Sequence, residues 1–145
     1  MDPIFVARLI FSLIAIAIAV GPMVADFNKT HATNPLWTPH ARFHVVWQVL
    51  TQTGVSIIIL TLLWLPAADQ MTHVWIAVCL LYVWFIAFYA TLGSMSLFEG
   101  SLKDVNGIKP WRWKLFGKTY LVDTNLGGGT ILFIINSVGV YLLIA

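Results

Sequence analysis

Four apolar runs, each long enough to cross a bilayer, predict an all-α membrane protein. It is read as a four-transmembrane-helix bundle with an ordered cytoplasmic loop between helices 3 and 4. Three observations carry that reading. The chain of 145 residues is 59% hydrophobic and only 10% charged. Its mean hydropathy of +0.86 lies outside the range of a soluble domain. Its apolar residues gather at about 4–24, 44–65, 74–92 and 126–145, and roughly 20 such residues cross a hydrocarbon core about 30 Å thick. Backbone groups in lipid must be satisfied within the segment, which selects helices. These runs use up residues 1–145, so a single domain is expected.

The first run follows Met1, Asp2 and Pro3, with no basic flank, and holds Arg8 inside it. It reads as a spanning helix and not as a cleaved signal peptide. The polar segment that follows is stiffened by Pro35 and Pro39. Thr38 suits a helix N-cap and Pro39 the first helical position, so helix two should start before the membrane. His40 and His44 then share a face in its first two turns. The same spacing continues through Gln48, Gln52 and Ser56. That stripe is expected to face the bundle interior, since the alternative exposes two amides to lipid.

The third run is apolar and aromatic, with Trp75, Tyr82, Trp84, Phe85, Phe88 and Tyr89. These rings suit packed or lipid-facing surface, or the wall of a lipidic pocket. Trp64 and Trp75 bracket the short loop before it, as an interfacial belt would. Residues 93–125 form a long connection, and Lys109–Lys114 alternates cationic and aromatic side chains in a way that fits anionic headgroups. Residues 113–122 suit a small hairpin around Gly117. Asp123, Thr124 and Asn125 offer caps for the fourth helix, whose entrance holds Gly127, Gly128 and Gly129.

Seven of the eight basic residues, Lys29, Arg42, Lys103, Lys109, Arg112, Lys114 and Lys118, fall in the first and third loops; Arg8 is the eighth. The positive-inside rule then puts both termini outside and loops one and three in the cytoplasm, with a bacterial inner membrane as the expected location. The net charge of +2 is a topology signal and makes no case for nucleic acid. Cys79 is the sole cysteine, so no intrachain disulfide forms.

Three of the four histidines cluster at the edge of helix two, beside Asp26. Ionisable groups there are costly, which points to a functional site. Asp26, His31, His40 and His44 are the candidate catalytic residues, with Gln48 and Arg42 as candidate cofactor contacts. His-x3-His is ligand spacing, so His31, His40, His44 and Asp26 are also the candidate ligands of a transition metal ion such as Fe or Zn, and a metal-dependent enzyme acting on a lipidic substrate is the enzymatic reading. The metal-free alternative is acid–base chemistry by a His–Asp pair on a lipidic substrate. A third reading has the same histidines pin loop one to the bundle. Quinone binding by His44, Gln48 and the aromatics is compatible. A bis-histidine haem is not, because His44 and His73 lie near opposite ends. No P-loop, dinucleotide fingerprint, CxxC or nucleophile elbow is present. The non-enzymatic alternative is an accessory or structural subunit of a larger membrane complex. The expected partners are membrane lipids and either such a complex or a homo-oligomer.

The stretch DFNKTHATNPLWTPHARFH, residues 26–44, resembles a family of small four-span membrane proteins of bacteria and fungi. Its pattern is close to D-x-N-x-T-H-x-x-N-P-x-W-x-P-H-A-K/R-F-H. The resemblance implies a shared site with Asp26, His31, Asn34, His40 and His44 at motif positions. It implies no particular reaction.

Overall fold

A computed structural model describes residues 1–102 and 107–145; Lys103 and Asp104 lie outside the described residues. Four helices, α1 (Pro3–Asp26), α2 (Pro39–Trp64), α3 (Gln70–Ser94) and α4 (Thr124–Ile144), are each long and apolar enough to cross a membrane. A 3-10 turn, Met95–Leu97, extends α3. The connection to α4 carries a two-stranded antiparallel hairpin, β1 (Trp111–Leu115) and β2 (Lys118–Val122). The fold is therefore mostly helical, with a small sheet.

The helix starts follow the capping chemistry read from the sequence. Pro3 and Pro39 occupy the first turns of α1 and α2. The Thr38 hydroxyl accepts from the Ala41 amide at 3.2 Å, and Asp123 accepts from the Asn125 and Leu126 amides. Each cap supplies a partner for amides that the helix itself leaves open.

Consecutive helices run antiparallel. α1 packs closely on both α2 and α4, and α3 lies on α2. The core holds Ala7, Phe11, Ile14, Ala15 and Ile18 of α1 against Ile59 and Leu63 of α2 and Val74, Ala77, Val78, Leu81 and Phe85 of α3. The α3–α4 seam is wider and filled by rings. Tyr82, Phe85 and Tyr89 each set an edge against Phe133, with centroids 6.1, 5.5 and 5.9 Å apart, and the Tyr89 and Thr130 hydroxyls meet at 3.0 Å.

The α4 glycines, which weaken its apolar signal, are sites of close approach. A Cβ at Gly127 would stand 2.8 Å from the Trp111 ring, and one at Gly139 would stand 2.6 Å from Phe11. Gly127 thus lets the hairpin seat on the start of α4. The hairpin turns at Phe116 and Gly117, both with positive φ (48° and 73°), as a tight two-residue turn requires. It starts at Trp111, two residues earlier than the sequence indicates, because Trp111 pairs with Val122 beside α4.

The polar stripe on α2 is only partly internal. Ser56 is buried and Gln52 half-buried, but His40, His44 and Gln48 are exposed. Each step of four residues overshoots a full turn by about 40°. Over four steps the stripe winds from the outer face into the core.

Arg8 ties the opposite end of the bundle. Its Nε donates to the Leu63 carbonyl at 2.8 Å, its Nη2 reaches the same oxygen, and its guanidinium lies 4.4 Å from the Trp64 ring centroid. Gln70 donates to the Leu62 carbonyl. The last carbonyls of α2 are satisfied in this way. Arg8→Ala should therefore lower stability by about 2–3 kcal/mol, the scale of a hydrogen bond from a charged donor. Arg8→Lys should recover part of it. Thermal melts in one detergent check this, and equal melting of Arg8→Ala and wild type would refute the role.

Candidate functional site: a polar cavity at the loop-one end

The ends of all four helices, loop one and the α3–α4 connection enclose a cavity of about 750 Å³. α1 contributes Pro22, Ala25 and Asp26, and α2 contributes Val45, Gln48 and Gln52. Trp84 and Phe88 line it from α3, Asp123 and Asn125 from the start of α4, and His31 and Trp37 from loop one. The lining thus combines aromatic and apolar side chains with carboxylates, amides and an imidazole.

Loop one is shaped by its small polar side chains. Asn28 Nδ2 donates to the Val24 and Ala25 carbonyls at the end of α1, and its Oδ1 accepts from the Thr30 amide and hydroxyl. Asn34 is buried, donating to the Thr30 carbonyl and accepting from the Leu36 amide, both at 3.0 Å. The Ala32 amide returns to the Asp26 carbonyl at 2.8 Å. The pinning of the loop is therefore the work of Asn28, Thr30 and Asn34 more than of the histidines.

These bonds hold His31 beside Asp26, with Nδ1 3.4 Å from Oδ1. The same nitrogen is 2.7 Å from the Thr30 hydroxyl oxygen. That hydroxyl has the Ala25 carbonyl and Asn28 Oδ1 as acceptors for its own proton. With its proton on either oxygen the hydroxyl can accept from an Nδ1–H, the tautomer that leaves the Nε2 lone pair open. Trp37 meets the His31 ring edge-on at 5.1 Å and fixes its tilt. Deeper in, Gln52 Oε1 is buried with no hydrogen-bond partner among the described residues. An acceptor in that state invites a donor from whatever fills the cavity.

The candidate residues of the sequence divide into two groups. Asp26, His31 and Gln48 line the cavity. His40 and His44 stand on the exposed face of α2, their Nε2 atoms 3.0 Å apart, and Arg42, half-buried, lies outside the cavity lining. Among the described residues no group of three or more His, Cys, Asp or Glu comes together to hold a metal ion. His31, His40, His44 and Asp26 are thus placed as two separate pairs. The cause is loop one, which folds back on α1 and carries His31 with it. Asp123, Asn125, Trp84 and Phe88 belong to the cavity too; the sequence marked Asp123 as a helix cap and offered the rings as packed or lipid-facing surface or as a pocket wall, without showing that they meet Asp26 and His31.

The chain is thus a small, mostly helical protein whose four helices are long and apolar enough to cross a membrane, with a polar cavity at one end. The chain belongs to a family of unknown function, DUF6640, whose model matches residues 10–111. The histidine-bearing stretch 26–44 falls inside the match. No curated protein and no solved structure matches the chain.

Proposed function

We propose that the protein is a small integral-membrane enzyme that moves a proton on a lipidic substrate held in this cavity. The observation that supports the reading is the meeting of the Asp26–His31 pair with Gln48, Gln52 and the rings of Trp37, Trp84 and Phe88 around one space of about 750 Å³. A volume of that size takes an amphiphile's head and the first part of its chain. The rings offer an apolar wall, and Gln52 Oε1 offers an acceptor for a head-group donor. His31 Nε2 is the proton acceptor, oriented through Nδ1 by Thr30 and Asp26, which also stabilise the imidazolium that forms. Removing a proton from one carbon and returning it to another, as in double-bond migration, needs no other reactant. The stretch 26–44 then marks the family's site.

The basic residues of loops one and three favour the cavity end facing the cytoplasm, both termini outside. Cysteine labelling at Lys29→Cys and Lys118→Cys, in a Cys79→Ser background, tests this. Both should resist a membrane-impermeant reagent in intact cells, and labelling of both would reverse the orientation.

Lipid analysis of protein purified in mild detergent tests the function. Wild type should retain one lipid class enriched over the bulk membrane. Val45→Trp, which fills the cavity from α2, should lose it. His31→Gln should keep the lipid and fail to convert it. A lipid profile matching the bulk membrane in wild type and Val45→Trp alike overturns the proposal. So does a stoichiometric protein partner on a chain that carries no enriched lipid, which would favour the accessory-subunit reading.

A further inference from the structure

We propose that His40 and His44 form a second site, a two-imidazole chelate for a divalent first-row transition metal ion on the exposed face of α2. The site is separate from the cavity and leaves coordination positions open to water or to a small ligand.

The geometry points to this. Two nitrogens bound to one ion at about 2.1 Å stand about 3.0 Å apart at a right angle and about 3.4 Å apart at a tetrahedral one. The Nε2 atoms of His40 and His44 are 3.0 Å apart, so they already have the required bite. The rings meet edge to face, 88° between planes and 4.5 Å between centroids, so their nitrogens converge. Aromatic neighbours flank both: His40 stacks along Phe43 at 6.4 Å, and His44 lies near Phe43 and Trp47 at 5.9 and 5.8 Å. Both side chains are exposed, so an ion reaches them without passing through the bundle. A shallow groove lined by His44, Trp47, Gln48, Thr51 and Gln52 begins at the site and gives a further ligand room along α2.

Without metal the same 3.0 Å fits an N–H···N bond between the rings. An ion takes both Nε2 lone pairs once each ring carries its proton on Nδ1. Neutral imidazoles select Cu(II), Ni(II) and Zn(II) over Mg(II) and Ca(II), with Cu(II) tightest. No carboxylate belongs to the pair, so affinity comes from the two nitrogens and is lost with either.

The test uses the full chain in detergent with a histidine-free affinity tag, titrated with Cu(II) and followed by electron paramagnetic resonance. One equivalent should bind with a hyperfine pattern from two imidazole nitrogens. His40→Ala or His44→Ala should each weaken binding by about tenfold or more and reduce the nitrogen count. His31→Ala should leave both readouts unchanged. His40→Gln and His44→Gln repeat the test should an alanine variant fail to fold. Wild-type binding no tighter than the double variant, or a signal lost with His31→Ala alone, would overturn the proposal.

Discussion

Gly139→Leu should lower thermal stability by about 3 kcal/mol, the upper part of the range for overpacking a filled core. The first added carbon would sit 2.6 Å from one atom of the Phe11 ring and 3.2 Å from Ile10. Phe11 is fully buried between α1 and its neighbours, so the ring cannot swing aside. Only separation of α1 from α4 relieves the overlap. A second substitution identifies the cause, because Phe11→Ala in the Gly139→Leu background should recover stability although Phe11→Ala alone destabilises. Melting in one detergent across the four proteins gives the coupling. Wild-type stability for Gly139→Leu would remove the close approach as an account of this seam.

Asn34→Leu should cost about 2–4 kcal/mol. Its amide serves two backbone groups of loop one, the Thr30 carbonyl and the Leu36 amide, and a buried group left without a partner costs about 1–3 kcal/mol. The damage should be local before it is global. Loop one carries His31 and Trp37 into the cavity, so the variant should lose any enriched lipid and become sensitive to protease between residues 27 and 38. Asn34→Asp keeps one acceptor, for the Leu36 amide, and should fall between the two. An Asn34→Leu protein that resists protease as wild type does would show that the loop is held by other contacts.

The helices were legible in the sequence because bilayer length and hydropathy leave few alternatives, and because Thr38 with Pro39, and Asp123, mark their own starts. The hairpin was legible from Gly117, though not its true beginning, since Trp111 joins the strand by seating on Gly127, a contact far along the chain. Asp26 and His31 could be nominated from their chemistry, but their partners could not. Asn28 and Thr30 stand in the family pattern, but only the fold shows their side chains closing the end of α1. The histidines misled in one respect. Spacing of four says that His40 and His44 share a face, and it cannot say which face. The slow winding of that stripe put Ser56 inside and the histidines outside. Asn136 gave no signal at all, yet it is fully buried in α4 with neither amide atom bonded among the described residues.

The grip of Arg8 on the Leu63 carbonyl bears on how such a chain enters a membrane. A helix with a guanidinium a quarter of the way along is a poor lone passenger in hydrocarbon. Its partner carbonyl lies 55 residues downstream, at the far end of α2. In a bilayer the first helix would therefore gain its partner only once the second has emerged, and the two would enter best together, as one antiparallel pair. A chain cut short within α2 should leave its first helix poorly inserted, and one that reaches Gln70 should hold it.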